Sequence, residues 1–269
     1  VVRVPTDIDK VIDDAWQATK NVPGYLLENE ARFIGLMAAC VPAKGVIVEI
    51  GSFKGRSTVM LAKVTSHYGL GPVIAIDPHS HNLSLVHRGT PLPSTFDEFQ
   101  SSLRTAGVSE HVEVHRALST DVSSTWNRQI RFLWIDGDHT YEGAKADLDG
   151  FSKFVAQNGV IAFHDALNNF PGPIRVFVEE ILRPNLFAAT GFVHSIAWAQ
   201  YSPANASRYA ESRQRLERRA SRLMPFVQSG QQLHGIKKKR FKLNRWLVPQ
   251  TAVTSENLSS LLLAEHTTT

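Results

Sequence analysis

Carboxylates and histidines crowd the ends of several apolar runs in this chain. Asp136, Asp138 and His139 follow Phe132 to Ile135 within RFLWIDGDHTYEGAKADLDGF, and His164 and Asp165 close VIAFHDA. Titratable groups packed this closely repel or desolvate one another unless a cation or a catalytic demand organises them. Two such run ends brought together, Asp136 with His164 and Asp165, would suit a hard divalent cation completed by water and substrate oxygens. Upstream, Glu49 precedes Gly51 and Gly55 in VIVEIGSFKGRS, and Asp77 closes VIAID. Glycines let a backbone pass close under a ligand, and a helix opening just after them adds free N–H groups and the positive end of its dipole. An acid before the first glycine would repel a pyrophosphate but hold a cationic or hydroxyl-bearing ligand. The spacing E-x-G-x-x-x-G also lacks the G-x-G-x-x-G pattern of dinucleotide sites, which ranks an NAD-dependent oxidoreductase low.

The elements that must position these groups alternate between buried strands and helices. Val46 onward, Val73 to Asp77, Val112 to His115, Phe132 to Ile135 and VIAFHDA read as strands. Between them, Ser57 to Ser66, Phe96 to Ala106 (stopped by Gly107) and Tyr141 to Phe151 read as helices. Two amphipathic helices precede the first strand. Asp7 to Thr19 carries Ile8, Val11, Ile12 and Trp16 on one face, and Leu26 to Ala39 carries Leu27, Ala31, Ile34 and Ala38, with Pro42 and Gly45 as its stop. In such a doubly wound sheet ligands lie at the carboxyl ends of the strands, where Asp77 can accept both hydroxyls of a ribose. Ala117 to Ser119, within RALST, then stand where the adenine of a bound nucleoside would lie, or form a plain connection. His79, His81 and His87, in an aperiodic stretch from His79 to Ser94, read as solvated loop residues rather than a metal cluster.

Taken together and in this order, VEIGSFKGRST, AIDPH, IDGDHTYEGAKADL and GVIAFHDA resemble the class I S-adenosylmethionine (SAM) methyltransferases, in the family that contains macrocin O-methyltransferase-like and cephalosporin hydroxylase-like members. The resemblance covers about Leu26 to Tyr201. It implies a Rossmann-like, seven-stranded, mostly parallel α/β sheet with helices on both faces. The last two strands would come from Leu186 to Tyr201, after a helix from Ile174 to Leu182. It also implies SAM as cofactor, held by Glu49, Gly51, Ser52, Phe53, Gly55 and Ser57 on the methionine side and by Asp77 at the ribose, with Ala117, Leu118, Ser119 and Asp136 completing the site. Asp136 and Asp165, with His164, would hold Mg²⁺ or another divalent cation. In metal-dependent relatives such as catechol O-methyltransferase the third protein ligand is an amide directly after the second aspartate, where this chain has Ala166. Those enzymes place a proton-removing lysine three residues beyond the first aspartate, and here that position is His139, a group that titrates nearer neutral pH. The expected reaction is methylation of a hydroxyl on a small molecule or sugar. The alternatives are a metal-independent N- or O-methyltransferase, or a nucleoside-binding protein that works through its tail.

The 269 residues, 43% of them hydrophobic, suffice for one α/β domain with appendages. The division expected is N-terminal helices over 1–45, the SAM-binding domain over 46–202 and an extension over 203–269. A single cysteine, Cys40, excludes an internal disulfide framework and reads as a buried helical residue. With no apolar run near the length of a membrane span and no signal-peptide pattern, a soluble, cytoplasmic protein is expected, although a start at Val1 leaves a removed leader open. Charge is segregated. Residues 1–202 hold 17 Lys and Arg against 21 Asp and Glu, whereas residues 203–269 hold 12 against 4. Arg208 to Met224 reads as an amphipathic helix stopped by Pro225, KKKRFKLNRW follows as a basic run with interleaved aromatics, and Glu265 to Thr269 read as frayed. Such a tail lowers its self-repulsion by meeting negative charge. Three partners are open: the domain's own or a second subunit's acidic surface, which would make a clamp or a homo-oligomer; an anionic membrane, with Phe241 and Trp246 inserted; and, least favoured, nucleic acid.

Overall fold

A computed structural model of the chain describes residues 2–80, 94–227 and 232–264. Helices α1 (Ile8–Thr19) and α2 (Glu28–Cys40) come first. Strand β1 (Val46–Ile50) then feeds α3 (Arg56–His67), β2 (Val73–Ile76) precedes α4 (Phe96–Ala106), and β3 (Val112–His115) precedes the short α5 (Ser119–Ser124). The alternation continues with β4 (Ile130–Ile135), α6 (Tyr141–Phe151) and β5 (Val155–Phe163). Helix α7 (Gly172–Val176) runs on into a π-helical stretch, Phe177–Leu182, and β6 (Phe187–Val193) and β7 (Ile196–Tyr201) form a closing hairpin.

All seven strands join one sheet in the order β3-β2-β1-β4-β5-β7-β6, in which only β7 runs against its neighbours. The order reverses between β1 and β4. A crevice opens outside the strand ends at such a switch point, so the tips of β1, β2, β4 and β5 are the places to look for a ligand. The central strands are buried on both faces, and the period of two sorts their side chains between two cores. Ile47, Phe132, Trp134, Val160 and Ala162 face one core with α1, α2 and α3; Val48, Ile50, Leu133, Ile135, Ile161 and Phe163 face the other with α6 and α7. Glu49 has the parity of Ile47 and so belongs to the α3 side.

After a 3₁₀ stretch, Pro203–Tyr209, the chain forms α8 (Ala210–Ala220), α9 (Met224–Val227), α10 (Gly235–Trp246) and α11 (Leu258–Leu261). Leu216, Ala220, Leu223, Val227, Phe241 and Val248 join the second core, whereas Leu258 and Leu262 join the first. The segment between them crosses the edge of the sheet, where the Thr251 N–H donates to the Phe192 carbonyl at 2.7 Å. Gln200 and Leu263 then exchange two hydrogen bonds at 2.8 Å each. Buried Arg213 fastens α8 by donating to the carbonyls of Phe187 and Ala206 and to Asn185 Oδ1.

The second helix starts two residues later than its apolar pattern suggests. Leu27 is its exposed N-cap, whose N–H donates to Glu30 Oε2 at 3.0 Å. Pro225 does not stop the helix before it. It sits in the first turn of α9, where its missing N–H costs no bond. Phe241 is buried against Phe226 and is not free to insert into a membrane. His79 is no solvated loop residue: it is buried at positive φ, with its ring against Phe96 and Phe99 and Nδ1 2.9 Å from Thr95 Oγ1. His81, His87 and Glu265 to Thr269 lie outside the described residues.

Candidate active site

A cavity of about 380 Å³ lies at the switch point, within the size range of small-molecule and cofactor sites. Its floor is the turn after β1. Gly51 has φ +85°, and a Cβ there would meet the Asp136 carbonyl oxygen at 2.2 Å, so only glycine lets the tips of β1 and β4 come this close. Gly55, at φ +92°, caps α3 and aims that helix's first turn at the cavity. Ser52, Phe53 and Ser57 line it. Asp77 fixes the turn from β2: Oδ2 accepts from the N–H groups of Ser52 (2.9 Å) and Phe53 (2.8 Å), and Oδ1 from that of His79 (2.7 Å). Its carboxylate still lines the cavity, so a ribose would meet an acceptor already held in place.

Glu49 does not reach this cavity. Its parity turns it under the turn, where its two oxygens accept from Ser57 Oγ and Thr58 Oγ1, and it is wholly buried. Burial drives its carboxyl up to about 8 against the pull of those two hydroxyls, with the nearby charges of Asp136 and Asp77 adding to the rise. The turn's backbone and Ser57 line the cavity in its place, so a ligand there would meet them and not Glu49. Of the three residues after β3, Leu118 and Ser119 line the cavity and Ala117 does not. Sequence reading missed Asp147 on α6. It lines the cavity next to Ser119, whose hydroxyl donates to its Oδ1, and its buried Oδ2 has no hydrogen-bond partner among the described residues; burial pushes this carboxyl up to about 6. Pro23, Gly24, Tyr25 and Leu26 also form part of the wall. Arg56 holds them there by donating to the carbonyls of Val22 (2.6 Å), Leu26 (3.0 Å) and Lys20 (3.0 Å).

The tips of β4 and β5 bring Asp136, His139 and Asp165 together, with one ligating atom of each within 4.8 Å of the others. His139 Nε2 lies 3.3 Å from Asp136 Oδ1 and 3.8 Å from Asp165 Oδ2, and its ring packs on Phe170. Burial alone would lower the His139 pKa, but the hydrogen bond and charge of Asp136, with Asp165 beyond, carry it above its ordinary value. Asp165 takes a positive φ, 55°, just past the end of β5, and its carboxyl is raised by burial and by Asp136 against the opposing charge of His164. Two carboxylates and an imidazole are a donor set that a divalent cation accepts, so the residues fit a metal.

His164 is not the third member of that group. It is buried, with Nδ1 3.1 Å from Asp136 Oδ1 and Nε2 3.3 Å from Glu30 Oε2. Both ring nitrogens are committed, which makes it a buttress behind Asp136 rather than a ligand. Glu30, also missed in the sequence, is the anchor. Its Oε1 faces His194 Nδ1 at 2.9 Å and accepts from the N–H and hydroxyl of Ser195, in the turn between β6 and β7. Burial works to raise the Glu30 carboxyl, but His164 and Ser195 hold it well below the usual range.

Residues 48–166 match a family model described as a methyltransferase domain. Solved structures share the fold. The O-methyltransferase NovP is 13% identical with a TM-score of 0.60, covering 72% of this chain and 98% of that one. An O-methyltransferase from Bacillus cereus, solved with SAH, is 20% identical with a TM-score of 0.51, covering 73% and 92%. TomG from Streptomyces achromogenes, an O-methyltransferase solved with SAM, is 17% identical with a TM-score of 0.52, covering 75% and 92%. Residues 48–166 thus match a methyltransferase domain, and the seven-stranded sheet is the fold that the chain shares with these O-methyltransferase structures.

Proposed function

We propose that the enzyme transfers the sulfonium methyl of SAM to a hydroxyl oxygen of a small molecule or sugar. One observation carries this reading: Asp136, His139 and Asp165 stand on the wall of the same cavity as the Gly51–Gly55 turn, Asp77 and Ser119. The sulfonium is already a strong electrophile, so the protein's work is alignment and proton removal. An acceptor hydroxyl beside His139 gives its proton to Nε2 as its oxygen bonds to the methyl carbon and the carbon–sulfur bond breaks. S-adenosylhomocysteine leaves, and the proton stays on an imidazole that Asp136 and Asp165 stabilise. Methylated hydroxyls in the neighbours' chemistry fit this assignment, since NovP and TomG are both O-methyltransferases. A cytoplasmic setting accompanies it, with Cys40 a free, buried thiol.

The geometry of the three ligating atoms favours a second reading. Asp136, His139 and Asp165 would then hold a divalent cation, whose contribution is to lower the pKa of the acceptor hydroxyl. His139 Nε2 faces both carboxylates, as His164 Nδ1 does, but its ring is not tied to Glu30, so it serves either as base or as ligand. Calorimetric titration with Mg²⁺ and Mn²⁺, paired with methyl-transfer assays in excess chelator, separates the two. Full activity in chelator and no heat of cation binding leave His139 as the base. Failure of the purified protein to bind SAM or SAH at all would overturn both readings.

A further inference from the structure

Helix α10 presents a surface that the enzyme's chemistry does not use. Ile236, Leu243 and Trp246 are 76%, 57% and 78% exposed. Their spacings of seven and three residues place them on one stripe of the helix. Phe241, almost opposite, is buried against Phe226 and fixes which way the stripe points, namely away from the second core. Arg240 and Lys242 flank the stripe on its two sides, and Lys239 rises within it. Lys237, Lys238 and Arg245 bring the cations of this 12-residue helix to six, and no Asp or Glu occurs between Glu217 and Glu256. None of the six pairs with an acid among the described residues; the ion pair nearest in sequence is Arg183 with Glu217.

This pattern inverts that of an ordinary surface helix, in which exposed positions are polar and apolar ones are buried. Nucleic acid would satisfy the cations but leave Ile236 and Leu243 nothing apolar to meet. A second copy docked face to face would set six cations against six, since a twofold interface pairs a patch with itself. An anionic bilayer surface answers both halves of the pattern at once, with lipid phosphates and carboxylates for Arg240 and Lys242 and the acyl boundary for the apolar stripe. We propose that α10 is a peripheral membrane-docking helix that seats the enzyme on anionic lipid. Lys239 has a stem long enough to lie along that boundary with its ammonium among the headgroups.

The test is co-sedimentation of the full chain with sucrose-loaded vesicles, either pure phosphatidylcholine or with about 30% phosphatidylserine, a content giving a strongly negative surface. The wild type is expected to bind the anionic vesicles at least about tenfold more than the neutral ones, and to be released by salt. The triple variant Ile236→Ser, Leu243→Ser, Trp246→Ser touches only exposed side chains. It is expected to lose about tenfold or more of the binding while keeping the wild-type melting temperature and SAH affinity. Three results would overturn the proposal: no sedimentation of the wild type with anionic vesicles, undiminished binding by the triple variant, or light scattering that shows a wild-type dimer which the triple variant dissolves.

Discussion

His139 sits between two carboxylates that raise its pKa, so as a base it becomes free only above the ordinary histidine range. The acid limb of the rate profile in chelator should therefore lie above pH 6.5, and Asp165→Asn should move it toward lower pH by removing one of the charges that hold the proton. His139→Ala should lower turnover about 10² to 10⁴-fold while leaving SAH affinity nearly unchanged; an equal loss in binding would assign the residue to the cofactor instead. Glu49 is the opposite case. Its folded pKa, about 8, stands above that of the unfolded chain, so the stability tied to its neutral form is whole below about pH 4.5 and is lost as pH rises through 8. Glu49→Gln should remove that loss, worth on the order of a few kcal/mol at pH 9, and leave SAH binding intact. Chemical denaturation of both proteins at pH 5 and pH 9 checks it. The motif gave Glu49 its place at a strand tip but not its direction, which is decided by parity: its neighbours Val48 and Ile50 face the other core.

Strand ends were readable because β-branched and aromatic runs stop abruptly at acids, and each tip expected to carry chemistry does lie at the carboxyl edge of the sheet. The partner of His139 was less accessible. Both His139 and His164 come within 4 Å of Asp136 and Asp165, and that His164 is tied from behind by Glu30 depends on how the chain turns after β4 and β5; a positive φ at Asp165 is invisible in spacing. Glu30 was hidden by its surroundings, since an acid at the third position of a helix reads as an ordinary cap. The available signal was its spacing of four from Ile34 on the apolar face of α2. Through Glu30 and His164, that helix supports Asp136 at the tip of β4. Glu30→Gln leaves His164, His194 and Ser195 without their charged acceptor, and a loss of about 3 to 5 kcal/mol is expected in urea melts. Gly51→Ala strikes the other contact between elements. With the Asp136 carbonyl in the way, it should destabilise the fold by about 2 kcal/mol or more and weaken SAH binding, as calorimetry can measure.

Composition separated the basic extension from the acidic domain, yet packing does not keep them apart: residues beyond 202 contribute to both cores. The charge on α10 faces outward while Leu216, Leu223 and Phe241 face in, a division that net charge by segment cannot express. Ending the chain after Val248 should cost about 3 to 6 kcal/mol from Leu258 and Leu262 alone, read as a lower melting temperature, with the active-site tips unchanged in sequence. Among the described residues no helix is long and apolar enough to cross a membrane. The crossing of the sheet edge also sets a timetable. Ser255 bonds Asp9 across 246 residues, and Leu258 and Leu262 lie in the same core as Ile8 and Ile12. On the ribosome, α1 therefore waits for residues made long after it, and the part of its apolar face that Leu258 and Leu262 cover needs temporary cover until α11 has emerged.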